Sequence, residues 1–157
     1  MNDVGAAIAA EFGDLSAVHA AQLAVRLLVA AGVGGLVGWQ RLHAGKAAGL
    51  RTHILVAVGA AAFVAVPEQA GMGFDGISRI IQGLVTGIGF LGAGSILKAE
   101  SEDRVRGLTT AAGIWLTAGV GVVAGLGREA SALLLGVIAW FTLAILGRWE
   151  HKSVVGK

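Results

Sequence analysis

Arg26, Arg51, Thr52, Arg79, Gln82, Thr86, Thr109, Thr110 and Thr117 stand within or at the edges of runs that are otherwise apolar. Guanidinium, amide and hydroxyl groups in such surroundings must bond one another between packed elements or line a narrow polar site, because hydrocarbon leaves them unsatisfied. On a helix, a spacing of three or four residues shares one face. That places Arg26 on a stripe with Ala30, Gly34 and Gly38, and Arg79, Gln82 and Thr86 beside Gly83 and Gly87. Thr110, Gly113, Thr117, Gly121 and Gly125 form a third stripe. Two chemistries suit the pattern. Arg26, Gln82, Thr86, Thr110 and Thr117 line a path for a small ion, or the polar groups are bonds between helices that dock through their smallest side chains.

Other chemistries are excluded by residue type. There is no cysteine, so thiolate nucleophiles, disulfides and Cys-ligated metals are absent. The four histidines are scattered without metal-ligand spacing, and no Ser-His-Asp or paired-carboxylate arrangement is credible, so neither an enzyme nor a metal or cofactor site is expected. The string Gly87-Ile88-Gly89-Phe90-Leu91-Gly92 fits G-x-G-x-x-G, but it lies in mid-run, and residues 109–112 offer no acid to hold a ribose. Tight helix packing explains it better, with Gly92 and Gly94 permitting a break. Carbonyls freed there would attract a cation, and freed amides an anion. Mg2+ prefers octahedral oxygen ligands that include one or two carboxylates, and the apolar runs contain none.

The elements that must carry these groups follow from composition. Of 157 residues, 55% are hydrophobic and only 14% charged, with 26 glycines. An ordinary soluble domain carries about 25% charged residues, so lipid must be part of the solvent. A bilayer core of about 30 Å takes roughly 20 apolar residues per helix. Five stretches qualify: 20–39, 50–66, 77–97, 107–126 and 130–147, each free of Asp and Glu. The fold class is therefore all-α, a bundle of five transmembrane helices over residues 20–147. Segment 1–19 precedes it and a tail, 148–157, follows. The first run lacks a preceding basic segment and reads as a retained helix rather than a cleaved signal.

Orientation follows from the short loops. Arg41, Lys46 and Arg51 mark the first loop, Lys98, Arg104 and Arg106 the third, and Arg148, Lys152 and Lys157 the tail, whereas Asp3, Glu11 and Asp14 precede the first helix and Glu68 and Asp75 flank the second loop. Nine of the twelve Lys and Arg fall on one side, which predicts the N-terminus outside and the C-terminus in the cytoplasm. The basic residues form no patch with interleaved aromatics, so nucleic acid is not an expected partner. The lipid bilayer is.

Ordinary roles stand beside these. Arg26 either snorkels to the surface or finds an interhelical partner. Arg79 pairs with Asp75 at i, i+4, and Thr109 and Thr110 cap a helix or border a polar cavity. His53 beside Thr52 is a candidate pH sensor. Glu100, Glu102 and Asp103 form a solvated acidic cluster that could hold hydrated Mg2+ weakly. Trp39 and Trp149 sit like interfacial anchors.

The blocks Gly35-Leu36-Val37-Gly38, Ala48-Gly49-Leu50-Arg51-Thr52-His53, Asp75 with Arg79-Ile80, Gly87-Ile88-Gly89-Phe90-Leu91-Gly92-Ala93-Gly94 and Gly107-Leu108-Thr109-Thr110-Ala111-Ala112 with Trp115 resemble, in order and spacing, the MgtC/SapB family of bacterial inner-membrane proteins. The resemblance covers about four fifths of the chain. It implies a multi-pass inner-membrane protein linked to magnesium homeostasis and to acid or low-magnesium stress. It also implies either a regulator of membrane ATPases, of the F-type ATP synthase or P-type pump class, or a transporter or channel for Mg2+ or another small ion. The family often has Glu after its Gly-Leu-x-Gly block, where this chain has Gln40 before Arg41. Longer members carry a cytoplasmic C-terminal domain, whereas this chain stops about ten residues after its fifth run. The candidate polar site is thus Arg26, Gln40, Arg41, Arg51, Thr52, Arg79, Gln82, Thr86, Thr109, Thr110 and Thr117. Helix packing is assigned to Gly34, Gly38, Gly83, Gly87, Gly89, Gly92, Gly94, Gly121 and Gly125, glycine faces that also suit a homodimer.

Overall fold

A computed structural model describes residues 2–11, 13, 16–98 and 105–147. The elements are α1 (Asn2–Glu11), α2 (Ala17–His43), α3 (Leu50–Gln69), α4 (Phe74–Gly94), α5 (Leu108–Gly125) and α6 (Glu129–Phe141), the last prolonged by a π-turn over Thr142–Leu146. Five helices are long and apolar enough to cross a membrane: α2, α3, α4, α5, and α6 with its π-turn. The expected all-α bundle is therefore the fold. Between α4 and α5 lies a two-residue antiparallel ladder, β1 (Leu97–Lys98) with β2 (Val105–Arg106), in which Leu97 faces Arg106. Within segment 1–19, α1 is a helix that the hydropathy pattern did not announce. Tail 148–157, with Trp149 and its basic residues, lies outside the described residues, as do Asp14, Arg104 and the acidic cluster Glu100, Glu102 and Asp103.

Local chemistry sets the helix ends. The side chain of Ser16 accepts the His19 amide at 3.2 Å and caps α2, which starts three residues earlier than its apolar run suggests. At 27 residues α2 is about 40 Å long, more than the bilayer core requires. α4 likewise begins at Phe74 rather than Ile77, and it runs unbroken to Gly94. The expected break at Gly92 does not occur: Ser95 donates its hydroxyl and its amide to the Gly92 carbonyl, at 2.7 and 3.0 Å, and closes the helix instead. The string 87–92 is plain helix with no strand before it. α5 is entered through Gly107, at φ +97°, where an added Cβ would run into the Ser95 carbonyl oxygen, so no other residue fits that turn.

The bundle is centred on α5, the most buried span, while α4 is the least buried. α3 turns a face of small residues, Ala57, Ala60, Ala61, Val64 and Ala65, toward α2 and α5. Backbones meet across it. A Cβ on Gly34 would lie 2.7 Å from the His53 carbonyl oxygen and one on Gly38 2.7 Å from the Leu50 Cα. A Cβ on Gly125 would lie 2.6 Å from the Ala61 carbonyl oxygen, and one on Gly121 would overlap that of Ala57. Four of the nine expected packing glycines thus join α2, α3 and α5, and Gly136, not singled out by spacing, does the same for α6 against Val33. The others differ. A Cβ on Gly92 would make only ordinary contact with Ala111, at 3.7 Å, while Gly83, Gly87, Gly89 and Gly94 face open space with no atom within 4 Å of an added Cβ. Spacing defines a face but not what the face meets, and α4 stands at the bundle's edge.

Candidate functional site

Two polar assemblies lie between helices, at opposite ends of the bundle. At the end bearing Glu68, the Arg26 guanidinium donates to Glu68 Oε2 at 2.6 Å and to the Gly125 carbonyl at 2.9 Å. It thereby ties α2 to the last turns of α3 and α5, where free carbonyls favour a cation. Because α2 starts early, Arg26 is level with those ends rather than deep in the bilayer, and it has an interhelical partner. Gln69 reinforces the junction by donating to the His19 carbonyl at 3.1 Å.

At the basic-loop end the bundle closes over a polar core. Arg41, third from the end of α2, is 3% exposed and donates to Thr110 Oγ1, three residues into α5, at 2.9 Å. His53, fourth residue of α3, is fully buried, and its Nδ1 lies 3.5 Å from Thr117 Oγ1. Thr117 donates its hydroxyl to the Gly113 carbonyl at 2.8 Å, which leaves its oxygen to face the His53 ring as an acceptor. Among the described residues Arg41 Nε and His53 Nε2 have no hydrogen-bond partner, and no carboxylate pairs with Arg41. Gln40 points to the other side of α2, donating through Nε2 to the Leu143 carbonyl at 3.0 Å, with Oε1 buried and without a partner among the described residues. Leu143 lies in the π-turn, where the widened helix frees carbonyls for such a bond.

The remaining candidates are outside this core. Thr109 is exposed, and Gly107 rather than either threonine is the N-cap of α5, with no side-chain cap bond, which corrects the capping role. Arg79 and Asp75 are both exposed and form no ion pair with each other. Gln82 and Thr86 face outward from α4; Thr86 returns its hydroxyl to the Gln82 carbonyl at 2.9 Å, as polar side chains in apolar helices commonly do, and the Gln82 amide has no partner among the described residues. Arg51 and Thr52 open a groove between α3 and α4. Arg26, Gln82, Thr86, Thr110 and Thr117 therefore do not line one path within the chain.

The sequence places His53 beside Thr52 near a membrane face, whereas in the structure it is buried in the core. Its place in the core is legible in its spacing from Ala57, Ala60, Ala61 and Val64, one helical face with His53 at its head. Glu68 as partner of Arg26 was not legible, because the two are 42 residues apart.

Five membrane-length helices packed on small residues around an inward-facing polar core define a multi-pass membrane protein. The chain belongs to the MgtC family, whose model matches residues 27–152, and it is a multi-pass protein of the bacterial inner membrane. It is 46% identical over 141 residues to SrpB of Synechococcus elongatus, covering 82% of this chain and 75% of that protein. Over 115 residues it is 44% identical to YhiD of Escherichia coli K12, with 68% of this chain and 52% of YhiD covered; YhiD bears the provisional name of magnesium transporter. To MgtC of Salmonella typhimurium it is 44% identical over 114 residues, 73% of this chain and 48% of that protein. The chain thus spans about half the length of YhiD and of MgtC. No solved structure matches it.

Proposed function

We propose that this magnesium-linked membrane protein is a non-enzymatic regulator that binds a transmembrane segment of a membrane ATPase, of the F-type synthase or P-type pump class, through the outward face of α4. The observation that carries the reading is Gln82. Its amide is exposed, has no partner among the described residues, and lies about 12 Å along a helix about 30 Å long, near mid-membrane. An amide facing lipid at that depth is costly, and a neighbouring helix that hydrogen-bonds it gains about 1 kcal/mol. Arg79 and Thr86 extend the same face.

The alternative is a transporter or channel for Mg2+ or another small ion, which the name of YhiD favours. The composition of the polar core weighs against it. Arg41, His53, Thr110 and Thr117 offer a cation, a ring and hydroxyls but no carboxylate, the opposite of what Mg2+ takes as ligands. Gln40 adds only a neutral amide. On the same reading the basic loops face the cytoplasm and the N-terminus lies outside.

Two measurements test this. Affinity purification of the tagged chain from bacterial membranes should retain an ATP synthase or P-type pump, and Gln82→Leu should release it. Reconstituted liposomes should show no saturable Mg2+ flux. Saturable flux lost in Arg79→Ala, with the helices intact, overturns the regulator reading in favour of transport.

A further inference from the structure

The groove between α3 and α4 is distinct from the outward Gln82 face and from the polar core. It encloses about 750 Å³, with Leu55, Phe63, Ile80, Leu84 and Leu91 among its walls and Ala118 of α5 in its floor. Its width comes from missing side chains. Gly59 on α3 and Gly83 and Gly87 on α4 all line it, and a Cβ on any of them would meet nothing within 4 Å.

Polarity is confined to one end. Arg51 and Thr52 are the only polar side chains in its lining, no acidic residue contributes, and Arg51, exposed, has no hydrogen-bond or ion-pair partner among the described residues. The same end holds the start of α3, whose cap Gly49 supplies no side-chain bond, so the field of the helix end adds to the guanidinium charge. From Arg51 to Phe63 the groove follows twelve residues of helix, about 18 Å. That is close to half of a bilayer core of about 30 Å. A slot one leaflet deep, apolar along its length and cationic only at its mouth, is complementary to an amphiphile with a single anionic head.

We infer that this groove binds one anionic glycerophospholipid, with its phosphate on Arg51 and an acyl chain lying over Gly59, Gly83 and Gly87. Arg51 belongs to the basic-loop end, which on the positive-inside reading faces the cytoplasmic leaflet.

Native mass spectrometry of the full chain in mild detergent, after delipidation, tests the site directly. Phosphatidylglycerol should be retained at one per chain and at least about tenfold over phosphatidylcholine at equal concentration, a preference that Arg51→Gln should abolish. Gly83→Leu with Gly87→Leu should remove the bound lipid while helicity by circular dichroism is unchanged, since both side chains enter open space. Should that pair lose helicity, Gly59→Leu fills the same groove from α3 and replaces it. Equal retention of the two lipids overturns the site. So does retention of lipid by a folded groove-filling variant. Glycerol 3-phosphate competing as well as phosphatidylglycerol would show that the headgroup alone binds and that the groove has no part. A lipid-free dimer split by the glycine substitutions would show that a second copy fills the groove, which equally overturns it. None of these results depends on the ATPase, so the lipid site and the regulator reading fail separately.

Discussion

Arg41 is the residue whose surroundings agree least with stability alone. It is buried and always charged, with one hydroxyl acceptor and no described carboxylate to offset its desolvation. Replacing a buried charge by an apolar side chain of similar length is commonly neutral or stabilising. Arg41→Met should therefore melt in detergent at the same temperature as the parent or higher, and, on the magnesium-linked function proposed above, should fail to complement a low-magnesium growth defect that the parent chain corrects. A melting temperature lowered by more than several degrees would mean that Arg41 holds the bundle together, and a functional role would be unnecessary. Gln40 is the opposite case. Its amide N–H is the partner of the Leu143 carbonyl, and an ionised carboxylate has no proton to donate there. Gln40→Glu should destabilise the end of α6 by about 1–3 kcal/mol, the usual penalty for a buried group left unpaired. Hydrogen exchange across 142–146 would report it, and unchanged protection would show that the bond contributes nothing. The glutamine was legible as a departure from the family pattern; its acceptor was not, because a π-turn leaves no mark in hydropathy.

At the scale of elements, the five spans were legible because lipid imposes a minimum apolar length that composition reveals. Helix packing was legible by half. Gly34 and Gly38, and Gly121 and Gly125, each four apart, do bring backbones together, whereas Gly83 and Gly87 at the same spacing border a groove. The distinction lies in the partner face: α3 presents alanines to α2 and α5 at close approach, while Gly83 and Gly87 of the peripheral α4 face α3 across an open groove. A contrast follows. Gly34→Leu or Gly121→Leu pushes a side chain into main-chain atoms that have nowhere to move, and should cost about 3 kcal/mol or more, the upper end for overpacking. Gly83→Leu should cost less than about 1 kcal/mol, because it strikes nothing. Unfolding of the purified chain in rising dodecyl sulfate would compare them. Equal losses would mean that α4 closes on α3 in the bilayer and that the open groove is wrong.

For the whole molecule, the two interhelical polar assemblies sit at opposite ends, and their chemistry tracks the loops. Arg26 and Glu68 clamp the end where α3 closes and α4 opens, with Asp75 in the first turn of α4, and Arg41, which no described carboxylate pairs, lies at the end that carries Lys46 in the α2–α3 loop and Arg51 in the first turn of α3. On the positive-inside rule we propose that the Arg41 core lies at the cytoplasmic end of the bundle. This polarity is testable without background, since the chain has no cysteine. Lys46 and Met72 lie in the loops at the two ends, after α2 and between α3 and α4. Lys46→Cys should react with a membrane-impermeant maleimide only after the cells are opened, and Met72→Cys in intact cells. If the two labels exchange places, the bundle is inverted, its polar core faces outward, and neither a cytoplasmic lipid in the groove nor control from the cytoplasm can stand. If both label in intact cells, the five-span topology itself is wrong, since two loops joined by the single crossing helix α3 must lie on opposite sides of the membrane.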